Sequence, residues 1–478
     1  MSQLCRREFI VKSSALGVGL GLMPRATWAN APSRKLNIAM IGAGNIADMA
    51  YSGTKNENLV ALADVDDTMF NQYSEQFPQI KSAKKFKDFR VMLDKMGKDI
   101  DAVCINTPDH THFVATMEAM QRGLHVCTQK PLTHSIWESR TLKKAMDKYK
   151  LVTCMANQGH TYDGIRVMRE WCEAGILGKI NEAHSWTEGP KWSPKGAEGK
   201  NIYWGKPLLT PPETDLISAH FDYDLWLGPS PSTPFNALYH PKCWRGFHQF
   251  GCGMLGDWMP HIGDAPVWIL GLYNPKVIEL VKKTGGDAWL VPDGNTIRWE
   301  FEMGKDMRGG EPQTNLKPKA PFNYYWHNGP QPEYLPPKPK DWNWEGSFPS
   351  KGSLFLGDKN TGYTDERSNN PRLANRENMI QLKKDGYPEP KYPRVPKGGP
   401  HAEWVRAIKG EGPEPGSNFD YASKFNEMTL LGCLAMVHGG RIEWDAAQMK
   451  ITNRPELNVY IKPPVRKGWE VGEDLWKS

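Results

Sequence analysis

From residue 35 the chain alternates short, nearly continuous apolar runs with amphipathic stretches of helical period. The run 36–41 meets a Gly-rich turn, a helix follows, and a second apolar run, 59–63, ends in Asp64. Helices are predicted over 67–77 and 87–96, a strand over 102–106, a helix over 112–122 and a strand over 125–128. Strands alternating with helices predict a doubly wound α/β unit, a parallel sheet covered on both faces. From about residue 180 the strand-like stretches lengthen, Trp and Tyr become frequent, and Pro/Gly-rich loops occupy 186–212 and 309–339. That texture predicts an α+β unit: an open-faced antiparallel β-sheet with inserted loops and a late helix over 422–437. The expected organisation is a leader over 1–31, a doubly wound domain over 32–158 and an α+β domain over 159–478.

Composition removes several function classes. The 478 residues hold 39% hydrophobic and 24% charged side chains, as in an ordinary globular protein with a sizeable core. Net charge is +6, and half of it comes from Arg6, Arg7, Lys12 and Arg25 against Glu8 at the N-terminus. The remaining charge is small and dispersed, which excludes nucleic acid as an expected partner. Nineteen Trp, concentrated beyond residue 170, suit both core packing and the C–H faces of sugars.

The N-terminus reads Cys5-Arg6-Arg7-Glu8-Phe9-Ile10-Val11-Lys12, then a mildly apolar stretch over 13–23 and Ala29-Asn30-Ala31. A charged start, an apolar centre and an A-x-A site describe a cleavable signal peptide. The Arg pair followed by Phe-Ile resembles the twin-arginine signal, so a periplasmic or otherwise exported location is expected, with no membrane span in the mature chain. Seven cysteines remain beyond the leader with no C-x-x-C pair. Cys104, Cys127 and Cys154 fall in apolar runs, and Cys243 with Cys252 is the pair that an oxidising compartment could join.

Gly42-Ala43-Gly44-Asn45-Ile46-Ala47 directly follows the first predicted strand, and Asp64 ends the next. Gly42 allows a tight turn, Gly44 lets the backbone approach a pyrophosphate, and Ala47 permits close helix packing. The helix N-terminus adds amide donors, and Asp64 accepts ribose hydroxyls. This predicts a Rossmann dinucleotide site, with NAD favoured over NADP because Asp66 and Asp67 add negative charge near a 2′-phosphate. Thr107 and Pro108, followed by His110 and His112, lie at the C-terminal edge of the fourth strand, where open parallel sheets bind ligands. Thr128-Gln129-Lys130-Pro131 follows the next strand at the same edge. His110 and His112 read as hydrogen-bonded loop histidines rather than metal ligands, and no metal is expected.

These residues resemble the Gfo/Idh/MocA family of glucose–fructose oxidoreductase and inositol dehydrogenase. The resemblance rests on Gly42 to Ala47, Thr107-Pro108 with His112, Lys130-Pro131, the segment 175–180, and the segment 253–261. It implies a dinucleotide domain followed by an open-faced antiparallel sheet, catalysis by Lys130, Asp257 and His261, and a homo-oligomer. Cofactor contacts are implied for Gly42, Gly44, Asn45, Ile46, Asp64, Thr107, Pro108, His112, Gln129, Lys130 and Gln158. Gln129 departs from the family pattern, which has Glu there, and loses one negative charge.

Asp257 and His261 are four residues apart, on one face of a helix. With Asp257 as its N-cap, Pro260 falls in the first turn and His261 feels the positive end of the helix; Asp264 is the alternative cap, and Pro266 would break a continuous helix. The expected chemistry is oxidation of a sugar or glycoside hydroxyl, with carbon-3 the expected position. His261 takes the hydroxyl proton, Lys130 steadies the oxygen, and Asp257 orients His261. Substrate contacts are expected among His160, Tyr223, Trp244, Arg245, His248 and Trp258. Export would demand a retained NAD recycled by a second sugar, or a net glycosidase that oxidises, eliminates, hydrates and re-reduces, resembling the NAD-dependent alpha-N-acetylgalactosaminidases of the family. A nucleotide-binding sensor without turnover is the remaining alternative.

Overall fold

The computed structural model describes residues 34–189, 213–301 and 321–477. The expected leader, most of the 186–212 loop and the first part of the 309–339 loop lie outside the described residues.

The first sheet has six parallel strands in the order β3-β2-β1-β4-β5-β6, the doubly wound arrangement expected. They are β1 (Asn37–Ile41), β2 (Asn58–Ala63), β3 (Lys84–Phe86), β4 (Ala102–Ile105), β5 (His125–Thr128) and β6 (Thr153–Met155). Continuous apolar runs such as Ala102–Ile105 are buried on both faces, as parallel strands must be. Helices α1 (Ala47–Gly53), α2 (Gln79–Ser82), α3 (Phe89–Met96), α4 (Asp109–Gln121) and α5 (Ile136–Tyr149) connect them. The helix expected over 67–77 is instead a 3-10 turn, Asp67–Asn71, capped by Asp66, whose side chain takes the Thr68 amide.

After α6 (Asp163–Glu173) the chain builds nine strands in the order β13-β12-β11-β7-β10-β9-β8-β14-β15. The centre comprises β7 (Ile180–Glu188), β8 (Val277–Thr284), β9 (Gly294–Phe301), β10 (Phe322–Gly329) and β11 (Gly352–Gly357), flanked by β12 (Thr361–Thr364) and β13 (Arg372–Leu373) on one side and β14 (Arg441–Asp445) and β15 (Lys450–Ile451) on the other. The sheet is mostly antiparallel, but β10 runs parallel to β7, which corrects the purely antiparallel expectation. One face carries Ala183, Ile297, Trp299, Tyr324, Trp326 and Phe355, all buried. Helices α8 (Gly253–Ile262), α9 (Asp264–Leu270) and α12 (Phe419–His438) cover that face; α7 (Tyr223–Leu227) and α10 (Arg376–Asp385) lie in the connections. Trp299 donates its indole N–H to the Met428 carbonyl at 3.0 Å, and a Cβ on Gly432 would stand 2.3 Å from its ring, so only glycine lets α12 lie this close. The opposite face is partly covered, because Trp342 and Phe348 pack on Trp186 and Tyr363.

The C-terminal third returns to the first sheet. Trp404, Val405 and Ile408 of α11 (Gly399–Ile408) join the core formed by Ile38, Met40 and Cys154. Between α5 and α12, Arg140 donates to Glu427 at 2.6 and 2.7 Å and to the Ala446 carbonyl at 2.7 Å. Trp444 adds a third donor to Glu427 at 3.1 Å. Glu427→Ala would strand a buried guanidinium and should lower unfolding free energy by about 3 kcal/mol, read as a lower denaturant midpoint.

Candidate active site

The glycine loop begins where β1 ends. Gly42 has φ 85 and a Cβ there would lie 2.8 Å from the Asn106 carbonyl group, so the turn and the approach of β4 both require glycine. Asp64 closes the loop from β2, accepting the Ala43 amide at 2.7 Å and the Asp66 amide at 3.0 Å. Burial raises its carboxyl to about 6, against the lowering effect of those amides.

Gly42, Gly44, Asn45, Ile46, Asp64, Thr107 and Pro108 line one groove, as expected of a dinucleotide site. Along the adjacent strand ends Asn106 Oδ1, Thr107 Oγ1 and both amide atoms of Gln129 are buried without a hydrogen-bond partner among the described residues. Orphaned polar atoms at the sheet's C-terminal edge fit a nicotinamide and ribose that supply donors and acceptors. His112 is not a groove residue, because its ring is braced between the Thr107 and Pro131 carbonyls at 2.8 and 2.7 Å. Gln158 points to Met49 and Arg367 rather than the glycine loop. The expected repulsion of a 2′-phosphate is also reduced, since Asp66 pairs with His240 at 2.8 Å and Asp67 with Lys87 at 3.0 Å. Asp64 is left to discriminate.

A segment over 213–250 covers this groove. Phe221 bridges to Asp66, Asp222 donates its amide to Val65 O at 2.9 Å, and Trp226, Tyr239, Trp244 and Phe250 pack together beneath.

Lys130, Asp257 and His261, the residues expected to react, come together where α8 reaches the edge of the first sheet. Lys130 Nζ is ion-paired with Asp257 and donates to its backbone carbonyl at 3.1 Å; Arg245 lies 3.7 Å from the same carboxylate. Burial alone would raise the Asp257 carboxyl, but Lys130 and Arg245 outweigh it and hold the group below its ordinary value. Asp109 behind them is pushed by burial up to about 7.

Asp257 is not the helix cap. The helix starts at Gly253, whose φ of 63 turns the chain, so Asp257 is mid-helix, Pro260 lies inside, and His261 stands in the last turn. The helix therefore presents its negative end to His261, the reverse of the expectation. The imidazole is nevertheless held neutral, its pKa well below the ordinary value through burial first and then the charges of Lys130 and Arg367. Pro266 sits in the first turn of α9, and the break falls at Gly263.

Asp257, occupied by Lys130, does not orient His261; Asn157 does. Asn157 Nδ2 donates to the Pro260 carbonyl, so its Oδ1 faces His261 Nδ1 at 3.3 Å as an acceptor. His261 then carries its proton on Nδ1 and leaves Nε2 as a base. Asn157 lies two residues beyond the end of β6 at the ligand-binding edge, a positional signal that sequence reasoning passed over. Arg367 had no sequence signal.

Among the expected substrate contacts, Arg245 and Trp258 are at the site and Trp244 lines the groove. His160 is not, being buried with Nδ1 3.0 Å from Asp264 and packed on Tyr421. Tyr223 donates to the Thr233 carbonyl inside the aromatic cluster, and His248 is bonded to the Ala288 carbonyl away from Lys130. Cys243 and Cys252 are unpaired; the Cys252 thiol instead meets Cys433.

Residues 36–158 match the GFO_IDH_MocA family model, described as an oxidoreductase family with an NAD-binding Rossmann fold. Residues 192–284 match that family's C-terminal alpha/beta domain. In both segments the chain is thus similar to the Gfo/Idh/MocA oxidoreductases. It is 26% identical over 233 residues to the D-glucoside 3-dehydrogenase of Escherichia coli (strain K12), a match covering 48% of this chain and 63% of the relative. It is 25% identical over 135 residues to the UDP-N-acetylglucosamine 3-dehydrogenase of Acidithiobacillus ferrooxidans, covering 28% of this chain and 41% of that protein. The chain thus spans less than two thirds of the length of these curated relatives. In fold it is similar to the WlbA dehydrogenase from Bordetella pertussis in complex with NADH and UDP-GlcNAcA, with TM-score 0.57, 14% identity, and coverage of 86% of this chain and 99% of that one. An inositol dehydrogenase homolog complexed with NAD+ from Azotobacter vinelandii gives TM-score 0.54 at 15% identity, covering 86% and 98%.

Two measurements check the groove. Gly42→Ala, through backbone strain of about 1–3 kcal/mol, should weaken NAD binding about five- to hundredfold in a fluorescence titration. Because Asp64 is an ionised acceptor above about 6 and a neutral acid below it, NAD affinity should fall as pH drops through that value, and Asp64→Asn should abolish the dependence.

Proposed function

We propose that the protein is an NAD-dependent oxidoreductase acting on a secondary hydroxyl of a saccharide or glycoside, with carbon-3 the preferred position and a dinucleotide retained between turnovers. The observation that carries this reading is a buried, neutral His261, its Nδ1 facing Asn157, one helical turn from the Asp257 that holds the Lys130 ammonium at the sheet's ligand-binding edge.

His261 Nε2 takes the hydroxyl proton, and its Nδ1–H remains on Asn157, which steadies the imidazolium as it forms. Lys130 donates to the same substrate oxygen and stabilises the charge that develops there. Asp257 holds the ammonium in place and cancels part of its charge. Bound in the groove, the nicotinamide supplies the acceptor for the hydrogen and electron pair that leave the carbon. No metal is required, and among the described residues no three His, Cys, Asp or Glu side chains converge as ligands.

Retention is supported by the 213–250 segment, anchored to the loop after β2 by Asp222 on Val65 and His240 on Asp66 and underlain by packed aromatic rings. A retained cofactor suits the export that the N-terminal sequence suggests.

Purified protein, with no nucleotide added, should show bound dinucleotide. A panel of glycosides should then change the near-ultraviolet band of reduced nicotinamide without releasing free sugar. Catalytic sugar release with no net change of the band would replace this reading by the redox-assisted glycosidase, and inertness toward every glycoside would overturn both. Lys130→Met and His261→Ala should each lower turnover about 10²- to 10⁴-fold, with dinucleotide still bound.

A further inference from the structure

The loop after β12 (Thr361–Thr364) closes on the junction of α8 and α9. Asp365 accepts the amides of Arg367 and Asn369, each at 2.9 Å. Ser368 Oγ donates to the His261 carbonyl at 2.8 Å and accepts the Ala265 amide at 3.1 Å. Ser368 and Asn370 both adopt left-handed backbone, φ 55 and 48. Such conformations in residues other than glycine cost about 1–3 kcal/mol each and persist where surrounding contacts over-determine them.

The loop presents Arg367. Its guanidinium lies 5.2 Å over the Trp258 ring and donates to Gln158 Oε1 at 3.3 Å, and Trp258 in turn meets His261 edge-on at 5.7 Å. Among the described residues no carboxylate pairs with it. The neighbouring cations are engaged: Lys130 and Arg245 share Asp257, and Lys351 lies 3.7 Å from Glu188. With His261 neutral, the site holds an excess of positive charge on a planar fork beside an aromatic platform. An Arg fork matches a carboxylate with two parallel hydrogen bonds, and the ring face packs on sugar C–H groups.

We propose that Arg367 is a specificity-determining residue for a saccharide that bears a carboxylate, a hexuronic acid or its glycoside. The carboxylate docks on the Arg367 guanidinium beside Trp258, while a ring hydroxyl meets His261 and Lys130. The inference rests on the oxidoreductase reading for the reaction, though not for the binding.

The test separates the two. Tryptophan fluorescence follows binding of free hexuronates and of the matching neutral hexoses to NAD-loaded protein; the nicotinamide band follows oxidation of uronosides and their methyl esters. The acid should be preferred over the ester in kcat/KM. Arg367→Gln should weaken hexuronate binding about ten- to hundredfold, as expected for a hydrogen-bonded charge pair, and cut kcat/KM for the uronoside by at least tenfold more than for the ester. Arg367→Lys, keeping the charge and losing the fork, should fall between. Equal binding of acid and neutral sugar by the unmodified protein overturns the proposal. So does an Arg367→Gln variant that loses dinucleotide affinity while its acid-to-ester ratio is unchanged, since the cation would then serve the pyrophosphate. Arg367-dependent hexuronate binding without oxidation would uphold the anion site and overturn the oxidoreductase reading.

Discussion

The ion pair between Lys130 and Asp257 is the constraint on which the site depends. Its side chains are only 10% and 13% exposed, so both charges have left most of their water. Burying one charge without the other is strongly unfavourable, and the pair is tolerable only when geometry is good and additional hydrogen bonds are made. Lys130 meets that requirement with its further bond to the Asp257 carbonyl. Because Lys130 follows β5 of the first sheet and Asp257 lies on the helix that covers the second, the same pair sets the distance between the two sheets' contributions. His261, one helical turn beyond Asp257, is located by it.

The pair also settles the electrostatics of the base. A histidine in the last turn of a helix is usually favoured in its charged form. Here burial comes first and the two cations next, and together they outweigh the helix end, so the ring stays neutral. Asn157 then fixes the tautomer, because its amide is pinned by the Pro260 carbonyl. Pro260 lies inside the helix, where its missing N–H cannot serve the Gly256 carbonyl and its own carbonyl takes the Asn157 amide.

The first sheet was largely legible in the sequence because its signals are local. The run 36–41, the glycines at 42 and 44 and the acid at 64 fall within thirty residues, and each has one physical purpose. The second sheet was legible in kind and not in detail, since the parallel pairing of β7 with β10 joins strands more than 130 residues apart. The cap assigned to Asp257 failed because a left-handed Gly253 starts the helix one turn earlier than a side-chain cap would. Asn157 had only its place after a strand to mark it. Arg367 belongs to no motif, and its position follows from a loop held by Ser368 on the carbonyl of His261, a contact across 107 residues.

The tryptophan content shows how a composition hint divides once coordinates are known. Trp171, Trp186, Trp299, Trp326 and Trp404 are fully buried, and Trp226 and Trp244 sit in the aromatic layer over the groove. Burying a large aromatic side chain contributes a few kcal/mol, which is what nine strands and long inserted loops require of their core. A sugar platform needs something different: a face that remains accessible next to the base. Trp258 is the ring nearest that description: half-buried, edge-on to His261, with Arg367 and Lys351 over it. The abundance of Trp therefore reflects packing, and the one ring beside His261 owes its place there to its neighbours rather than to its type.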